Sequence, residues 1–427
     1  MNNLDNFFIK TANRIKEDRF LSNSFIFFVG SFLVGAGNYL YQFLMARMLP
    51  IEVYGELQSL LALFAIGGVL TGVILTVLVK YTAAFKAKGW LNKIYSLFLF
   101  STKKVLFGSI IFFIVFAAFS GYIADFLHLP FVIPVIILGI SFLIVFLNSV
   151  NGGIIQGLEN FKAMSIISII SSFLKIILAV LLVKLGFAIN GAVGAIVLAG
   201  LIGYLISFLP IKFLFKQQKE KIETKEIFRY SFPVFFTLLF IILIWNVDVV
   251  LVKHFFSAQT AGEYGALVTL GRIVFFMAGP IAGVMFPMTA AAHSNHKDSG
   301  RILKKTVFLT GLIGLGILFF YFLFPELIIK ILIGSKYLQI SGLLGWFGLS
   351  MFLCSLIALL SKYFLSIDKV KCAYFAGIGV LLQIILISVF HQSLWQIVWI
   401  MNGVMLAVLA LLTFYYFKIT IKKCPQS

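Results

Sequence analysis

Runs of about 20 mostly apolar residues recur along the whole chain, and a helix needs roughly that length to cross a bilayer. Twelve such runs are predicted. In the first half they cover approximately residues 22–46, 57–83, 101–124, 132–150, 163–185 and 191–211. In the second half they cover approximately residues 230–253, 265–290, 305–325, 341–363, 372–390 and 396–417. These runs are too long and continuous for barrel strands, which alternate over about ten residues.

The composition excludes a water-soluble fold. Only 11% of the 427 residues are charged and 61% are hydrophobic, whereas soluble domains carry about 25% charged residues. The three cysteines are too few for a disulfide scaffold, and no two of them have a metal-binding CxxC spacing. The sequence therefore predicts an all-α polytopic membrane protein, and no metal or cofactor is expected.

The positive charges define a topology. If the N-terminus is cytoplasmic, 27 of the 34 Lys and Arg residues fall on the cytoplasmic side and 5 on the outer side, as the positive-inside rule requires. Both termini are then cytoplasmic. The net charge of +19 follows from this topology and from attraction to anionic lipid headgroups, and it requires no nucleic acid. Residues 1–21 are predicted to form a cytoplasmic interfacial helix, with a disordered tail as the alternative.

The two halves of the chain contain an internal repeat. Tyr54-Gly55 and Tyr264-Gly265 each begin an even-numbered span after an outer loop that contains a Glu. Six spans separate the copies, so the repeat is parallel, and transporters are often built from such repeats. We predict two six-helix lobes, 22–211 and 230–427, joined by a polar cytoplasmic linker over 212–229.

Three segments carry a resemblance to a known family. The outer turn ARMLPIEVYGELQSL (residues 46–60) is similar to an R-x-L-x-x-x-x-Y-G signature after span one. GIIQGLENFKAMSIISI (153–169) resembles a G-L-x-x-F segment, and VDVVLVKHFFSAQTAGEYGAL (247–267) is similar to the corresponding second-half segment. The chain thus resembles the multidrug/oligosaccharidyl-lipid/polysaccharide (MOP) exporter superfamily, and within it the Wzx-like polysaccharide flippases of the O-antigen type.

The resemblance implies a MATE-like fold of two six-helix lobes around a central cavity. It also implies a non-enzymatic function in polysaccharide or lipopolysaccharide biosynthesis at the inner membrane. A lipid-linked oligosaccharide would move from the cytoplasmic to the outer leaflet by alternating access. The implied partners are this substrate, membrane lipids, a coupling ion such as H⁺ or Na⁺, and the glycosyltransferases and polysaccharide polymerase of the pathway.

Charges inside spans point to a site, because each costs roughly 2.5–3.5 kcal/mol on insertion scales unless it meets a partner or a water-filled cavity. Lys175 lies near the middle of span five, and neither this span nor span four contains an acid. A cavity-facing role is therefore favoured for Lys175.

Asp248 and Arg272 lie at similar depths in adjacent spans. They could form a structural ion pair or belong to the site, and the sequence leaves both interpretations open. Three cations at outer span ends are expected to reach the headgroups by snorkelling: Arg47, Lys184 and Lys253.

A lipid-linked pyrophosphate needs cationic donors, and sugar hydroxyls need amides and aromatic side chains. Tyr39 and Tyr41 in span one are aromatic candidates. The predicted substrate-binding set consists of Lys175, Arg272, Asp248, Arg47, Asn38, Gln42 and Asn246.

Two other classes of function compete with the flippase. A cation-coupled multidrug exporter of the same fold would need acids in the membrane, and Asp248 is the only carboxylate deep in a predicted span. A membrane glycosyltransferase or polymerase would need a metal site or a base beside a nucleophile. The sequence contains no D-x-D, H-E-x-x-H or P-loop motif.

Overall fold

The computed structural model describes residues 19–222, 235–236, 238–294, 299–367, 369 and 372–421. Most of this part of the chain is helical, and it contains no strand. The predicted interfacial helix over 1–21 lies almost entirely outside the described residues, as does most of the second half of the 212–229 linker. Residues 209–216 form a 3₁₀ turn (Leu209–Lys216) and 218–222 are not helical.

Most of the helices follow the predicted spans, but the span predicted over 57–83 is interrupted at Gly68, and the one predicted over 230–253 is interrupted by a turn at residues 244–246. Those of the first half are α1 (Arg19–Met48), α2 (Ile51–Gly67), α3 (Val69–Ala87), α4 (Leu91–Ala118), α5 (Ser120–Phe126), α6 (Ile133–Gly157), α7 (Phe161–Leu182) and α8 (Ala188–Ile206). Those of the second half are α9 (Val247–Phe255), α10 (Ala258–Ser294), α11 (Gly300–Leu323), α12 (Pro325–Leu332), α13 (Ser341–Ser366), α14 (Cys372–Val389) and α15 (Leu394–Ile421). Seven stretches of the described residues are long and apolar enough to cross a membrane. The longest of them, Phe161–Ile206, contains two predicted spans. The predicted all-α polytopic fold is confirmed.

The G-L-x-x-F segment of the sequence is a helix junction. Gly157, at the end of α6, comes so close to α3 that a Cβ on it would lie 2.5 Å from the Cβ of Thr82. Asn160 then begins α7, because its side-chain oxygen accepts a hydrogen bond of 3.2 Å from the backbone N–H of Ala163. The Gly157–Phe161 segment is therefore a tight turn whose glycine allows two helices to approach.

The described residues divide into two compact units. The first contains the chain up to Met45 together with 67–124 and 131–235. In it, α6 packs against α3, α4 and α8, and α7 packs against α8. Aromatic rings fill its core, with the centroids of Phe112 and Phe142 5.1 Å apart.

The second unit contains residues 46–66, 125–130 and 236 onwards. Its core is α13, which packs against α10, α11 and α15. Tyr264 and Phe347 meet edge to face there, with ring centroids 5.7 Å apart. The predicted lobes, 22–211 and 230–427, stay a prediction. The two units differ from them because 46–66 and 125–130 pack within the second unit.

Candidate functional site

A cation lies among polar and aromatic side chains in the first unit. Lys175 on α7 donates a hydrogen bond from Nζ to Oδ1 of Asn38 on α1. The same ammonium lies 4.8 Å from the centroid of the Tyr41 ring, within the range of a cation–π interaction. Lys175, Asn38 and Tyr41 were all candidates from the sequence, and the fold brings them together.

The close approach of three helices creates this arrangement. Gly37 on α1 faces Ser172 on α7 with no room for a side chain between them. The Tyr41 hydroxyl donates a 3.0 Å hydrogen bond to the carbonyl oxygen of Ala192 on α8. Tyr41 is thereby fixed in orientation, and its ring presents a face to the ammonium of Lys175.

The charge of Lys175 is not neutralised locally. Within the described part of the chain, no carboxylate oxygen lies within 4.0 Å of its Nζ. An ammonium carries three N–H donors, and Asn38, an exposed residue, accepts from one of them. This group can offer charge-assisted donors to an anion. We call Lys175, Asn38 and Tyr41 the cationic site.

A second polar cluster is buried in the second unit. Asp248 at the start of α9 is 0% exposed, and its Oδ2 accepts a 2.7 Å hydrogen bond from the Tyr264 hydroxyl. Arg272 on α10 donates to the carbonyl oxygen of Trp245 and, at 3.2 Å, to Oδ1 of Asn246. Asp248 and Arg272 therefore do not form a direct ion pair, since each binds a different group.

Two buried polar atoms of this cluster form no hydrogen bond within the described residues. Among the described residues, Oδ1 of Asp248 and Nε of Arg272 are buried without a hydrogen-bond partner. The two residues interact electrostatically across the cluster. A buried polar atom without a partner costs about 1–3 kcal/mol, so the arrangement is costly in this conformation.

Arg47 has contacts of a structural kind. Its Nε donates to the carbonyl oxygen of Leu332 at 3.2 Å, and Nη2 donates to those of Lys330, at 3.4 Å, and Ile331. These carbonyls end α12, where a cation offsets the negative end of the helix dipole. These contacts do not test the predicted role of Arg47 as a substrate ligand, which stays a prediction. Gln42, half-buried on α1, stays a prediction.

Lys253 is buried, which corrects a prediction from the sequence. We expected its side chain to reach the lipid headgroups by snorkelling, but the residue is 2% exposed. Its charge interacts with that of Glu56, which is 7% exposed on α2. The physical reason is that residues 46–66 pack within the second unit and bring a carboxylate to α9. Glu56 and Tyr264 were missed as site residues, although both belong to or adjoin the repeated Tyr-Gly pairs.

The fold is similar to that of solved polytopic helical transporters of the MOP superfamily. An inward-facing multidrug resistance transporter of the MATE family in that superfamily matches with a TM-score of 0.79 and 15% identity, over 92% of this chain and 96% of the other. Lipid II flippase MurJ, in an inward closed conformation, matches with a TM-score of 0.71 and 17% identity, over 93% and 87%. A MOP superfamily transporter from Pyrococcus furiosus matches with a TM-score of 0.62 and 17% identity, over 94% and 95%.

The family follows from the sequence itself. The model of the polysaccharide biosynthesis protein family matches residues 44–342, so the chain belongs to that family. No curated protein sequence is significantly similar to this chain. The predicted relationship to polysaccharide biosynthesis proteins is confirmed, and the fold is similar to that of MOP superfamily transporters, as the resemblance implied.

Proposed function

We propose that this protein is a flippase that moves a lipid-linked oligosaccharide from the cytoplasmic to the outer leaflet by alternating access. The observation that carries the proposal is the cationic site: an ammonium in a predicted span, beside an amide and an aromatic ring, with no carboxylate oxygen of the described residues within 4.0 Å. The family, polysaccharide biosynthesis, supports a saccharide substrate.

The cationic site suits the two polar parts of such a substrate. The pyrophosphate would accept hydrogen bonds from Lys175, whose positive charge offsets the anion's loss of hydration in a low-dielectric region. The amide of Asn38 and the ring of Tyr41 would contact sugar hydroxyls and sugar faces. The substrate leaves chemically unchanged, so the protein acts as a transporter and not as an enzyme.

The second buried cluster would serve another purpose. Asp248, Asn246 and Arg272 are held by Tyr264, by the Trp245 carbonyl and by each other. We assign them first to the packing of α9 on α10. These three residues and Arg47 therefore do not contact the substrate directly.

Cation-coupled drug export is the second candidate function. The buried Asp248, with one oxygen unpartnered among the described residues, supports it, because a proton or cation could neutralise that charge. The positive charge of Lys175 opposes it, since an organic cation entering the first unit would be repelled. We also propose that the protein lies in the inner membrane with both termini cytoplasmic, an orientation that the charge asymmetry supports.

Deletion of the gene distinguishes the two candidates. A flippase predicts that lipid-linked oligosaccharide accumulates on the cytoplasmic leaflet and that polymer export falls, while sensitivity to organic cations is unchanged. Complementation with the wild-type gene should restore export. Unchanged lipid-linked oligosaccharide together with increased sensitivity to organic cations would reject the flippase in favour of the drug exporter.

A further inference from the structure

The chain leaves the first unit and returns to it at defined points. Residues 46–66, which we call the strap, belong to the second unit although the chain before and after them belongs to the first. The strap contains the end of α1 and nearly all of α2. The chain returns at Gly67, and Gly68 interrupts the helix between α2 and α3. The helix break thus coincides with the end of the strap, as expected of a hinge.

Two cations hold the strap at its beginning. Arg47 on the strap donates to three carbonyl oxygens at the end of α12. In return, Lys336 donates from Nζ to the carbonyl oxygens of Arg47, at 3.4 Å, and Leu49. Each helix end therefore receives a cation from the other segment. We call this pair of contacts the clasp.

In the clasp, each of the two segments places a cation at the helix end of the other. The last carbonyls of a helix have no intrahelical partner and carry partial negative charge. Arg47 satisfies those of α12, and Lys336 satisfies the carbonyl of Arg47 in the last turn of α1 and that of Leu49 just after it. Arg47 is exposed, so water can replace its contacts when the clasp opens, which makes the clasp reversible.

Aromatic and backbone contacts continue from the clasp along α2. The Tyr337 hydroxyl donates to the carbonyl oxygen of Ala46 at 3.1 Å, and the Tyr54 hydroxyl lies 2.8 Å from Oγ1 of Thr269 on α10. Gly55 lies against the backbone of Gly262, so that a Cβ at Gly55 would be 2.6 Å from the Gly262 nitrogen. The repeated Tyr-Gly pairs of the sequence thus belong to helices that pack against each other.

A second segment of the chain is held in the same unit. Residues 125–130 connect α5 to α6 on the predicted outer side and belong to the second unit. Nδ1 of His254 lies 2.7 Å from the carbonyl oxygen of Phe126, and the two rings stack with centroids 4.0 Å apart. Both segments of the first half that join the second unit are therefore at predicted outer ends.

From this placement we infer that Arg47 and Lys336 are positioning residues that hold the strap against α10 and α12 within the second unit. The strap separates from α10 and α12 when the transporter opens outward, and the clasp sets how often this happens. This inference rests on the proposed function in one respect: alternating access requires that the transporter open to the outer side. Arg47 is the Arg of the R-x-L-x-x-x-x-Y-G signature. It thereby controls the conformation of the protein and does not bind the substrate.

Cysteine labelling of purified protein in nanodiscs, without substrate, tests this directly. Ala261→Cys places a thiol on α10, 5% exposed and next to the glycine that the strap covers. Arg47→Gln and Lys336→Gln should each raise its rate of modification by an impermeant maleimide at least threefold, as read by peptide mass spectrometry. Arg47→Lys should have an intermediate effect, because one ammonium replaces the guanidinium fork.

Two controls separate opening of the strap from loss of structure. Lys330→Gln removes an exposed charge beside the clasp and leaves the Lys330 carbonyl contact intact, so the rate should not change. Native Cys354, 2% exposed on α13, reports on the core of the second unit and should stay protected. The inference is overturned if Arg47→Gln and Lys336→Gln label like Lys330→Gln, or if Cys354 becomes reactive in parallel. No substrate is present, so a wrong assignment of the flippase function would leave this result intact.

Discussion

Replacement of Lys175 by Met removes the charge of the cationic site and nearly preserves its volume. The variant loses the hydrogen bond to Asn38 and the cation–π contact with Tyr41. For the substrate, the loss is one charge-assisted contact, worth about 1.5–3 kcal/mol. Since each 1.4 kcal/mol is about tenfold, the apparent affinity for a pyrophosphate-linked saccharide should fall about 10- to 150-fold.

The stability of the fold should change much less. Both partners of Lys175 are neutral, so its removal leaves no unpaired buried charge, which would cost about 3–5 kcal/mol. The free energy of unfolding should therefore change by about 1 kcal/mol or less, close to the net worth of one hydrogen bond.

The assay is a concentration series of lipid-linked saccharide in proteoliposomes, with thermal stability measured on the same preparation. Lys175→Arg should retain part of the transport because the charge remains and its geometry changes. Lys184→Met is the matched control, since it removes an exposed lysine just beyond the end of α7. The reasoning is refuted if Lys175→Met transports like wild type, or if it unfolds while Lys184→Met does not.

Three further predictions follow from packing and topology. Gly55→Ala should destabilise the protein by at least about 1–3 kcal/mol, the range for overpacking, because its Cβ would lie 2.6 Å from backbone of α10. Gly108→Ala, with nothing within 4 Å, should raise the melting temperature slightly in the same assay. Tyr264→Phe removes the donor to the buried aspartate of α9 and should cost about 1–3 kcal/mol, measured by thermal unfolding. An impermeant thiol reagent added outside cells should label Gln259→Cys and miss Glu220→Cys, and the reverse would contradict the topology.

Features with a local physical cause were predictable from the sequence. The apolar runs predicted the membrane spans because a helix must be long enough to cross the bilayer. Lys175 stood out because a charge in mid-span is costly wherever its helix packs. Asn38 was chosen as a polar residue of span one, and its meeting with Lys175 is a property of the fold that no spacing in the sequence contains.

Features that depend on distant partners were not predictable. Arg47 bonds to carbonyls about 285 residues away, and any backbone supplies carbonyls, so no residue type marks its partner. Lys253 was expected at the headgroups because its buried position depends on where the strap packs. The adjacency of Asp248 and Arg272 suggested an ion pair, yet Tyr264 and Asn246 take up the nearest bonds.

Transbilayer movement in a reconstituted system tests the central claim most directly. Purified protein is placed in vesicles with a fluorescent pyrophosphate-linked oligosaccharide, and the fraction that a membrane-impermeant quencher reaches is followed over time. We predict that substrate initially shielded in the inner leaflet becomes quenchable with wild-type protein, that protein-free vesicles show no such change, and that Lys175→Met slows it at least tenfold at subsaturating substrate. Equal rates with and without the wild-type protein would contradict the account.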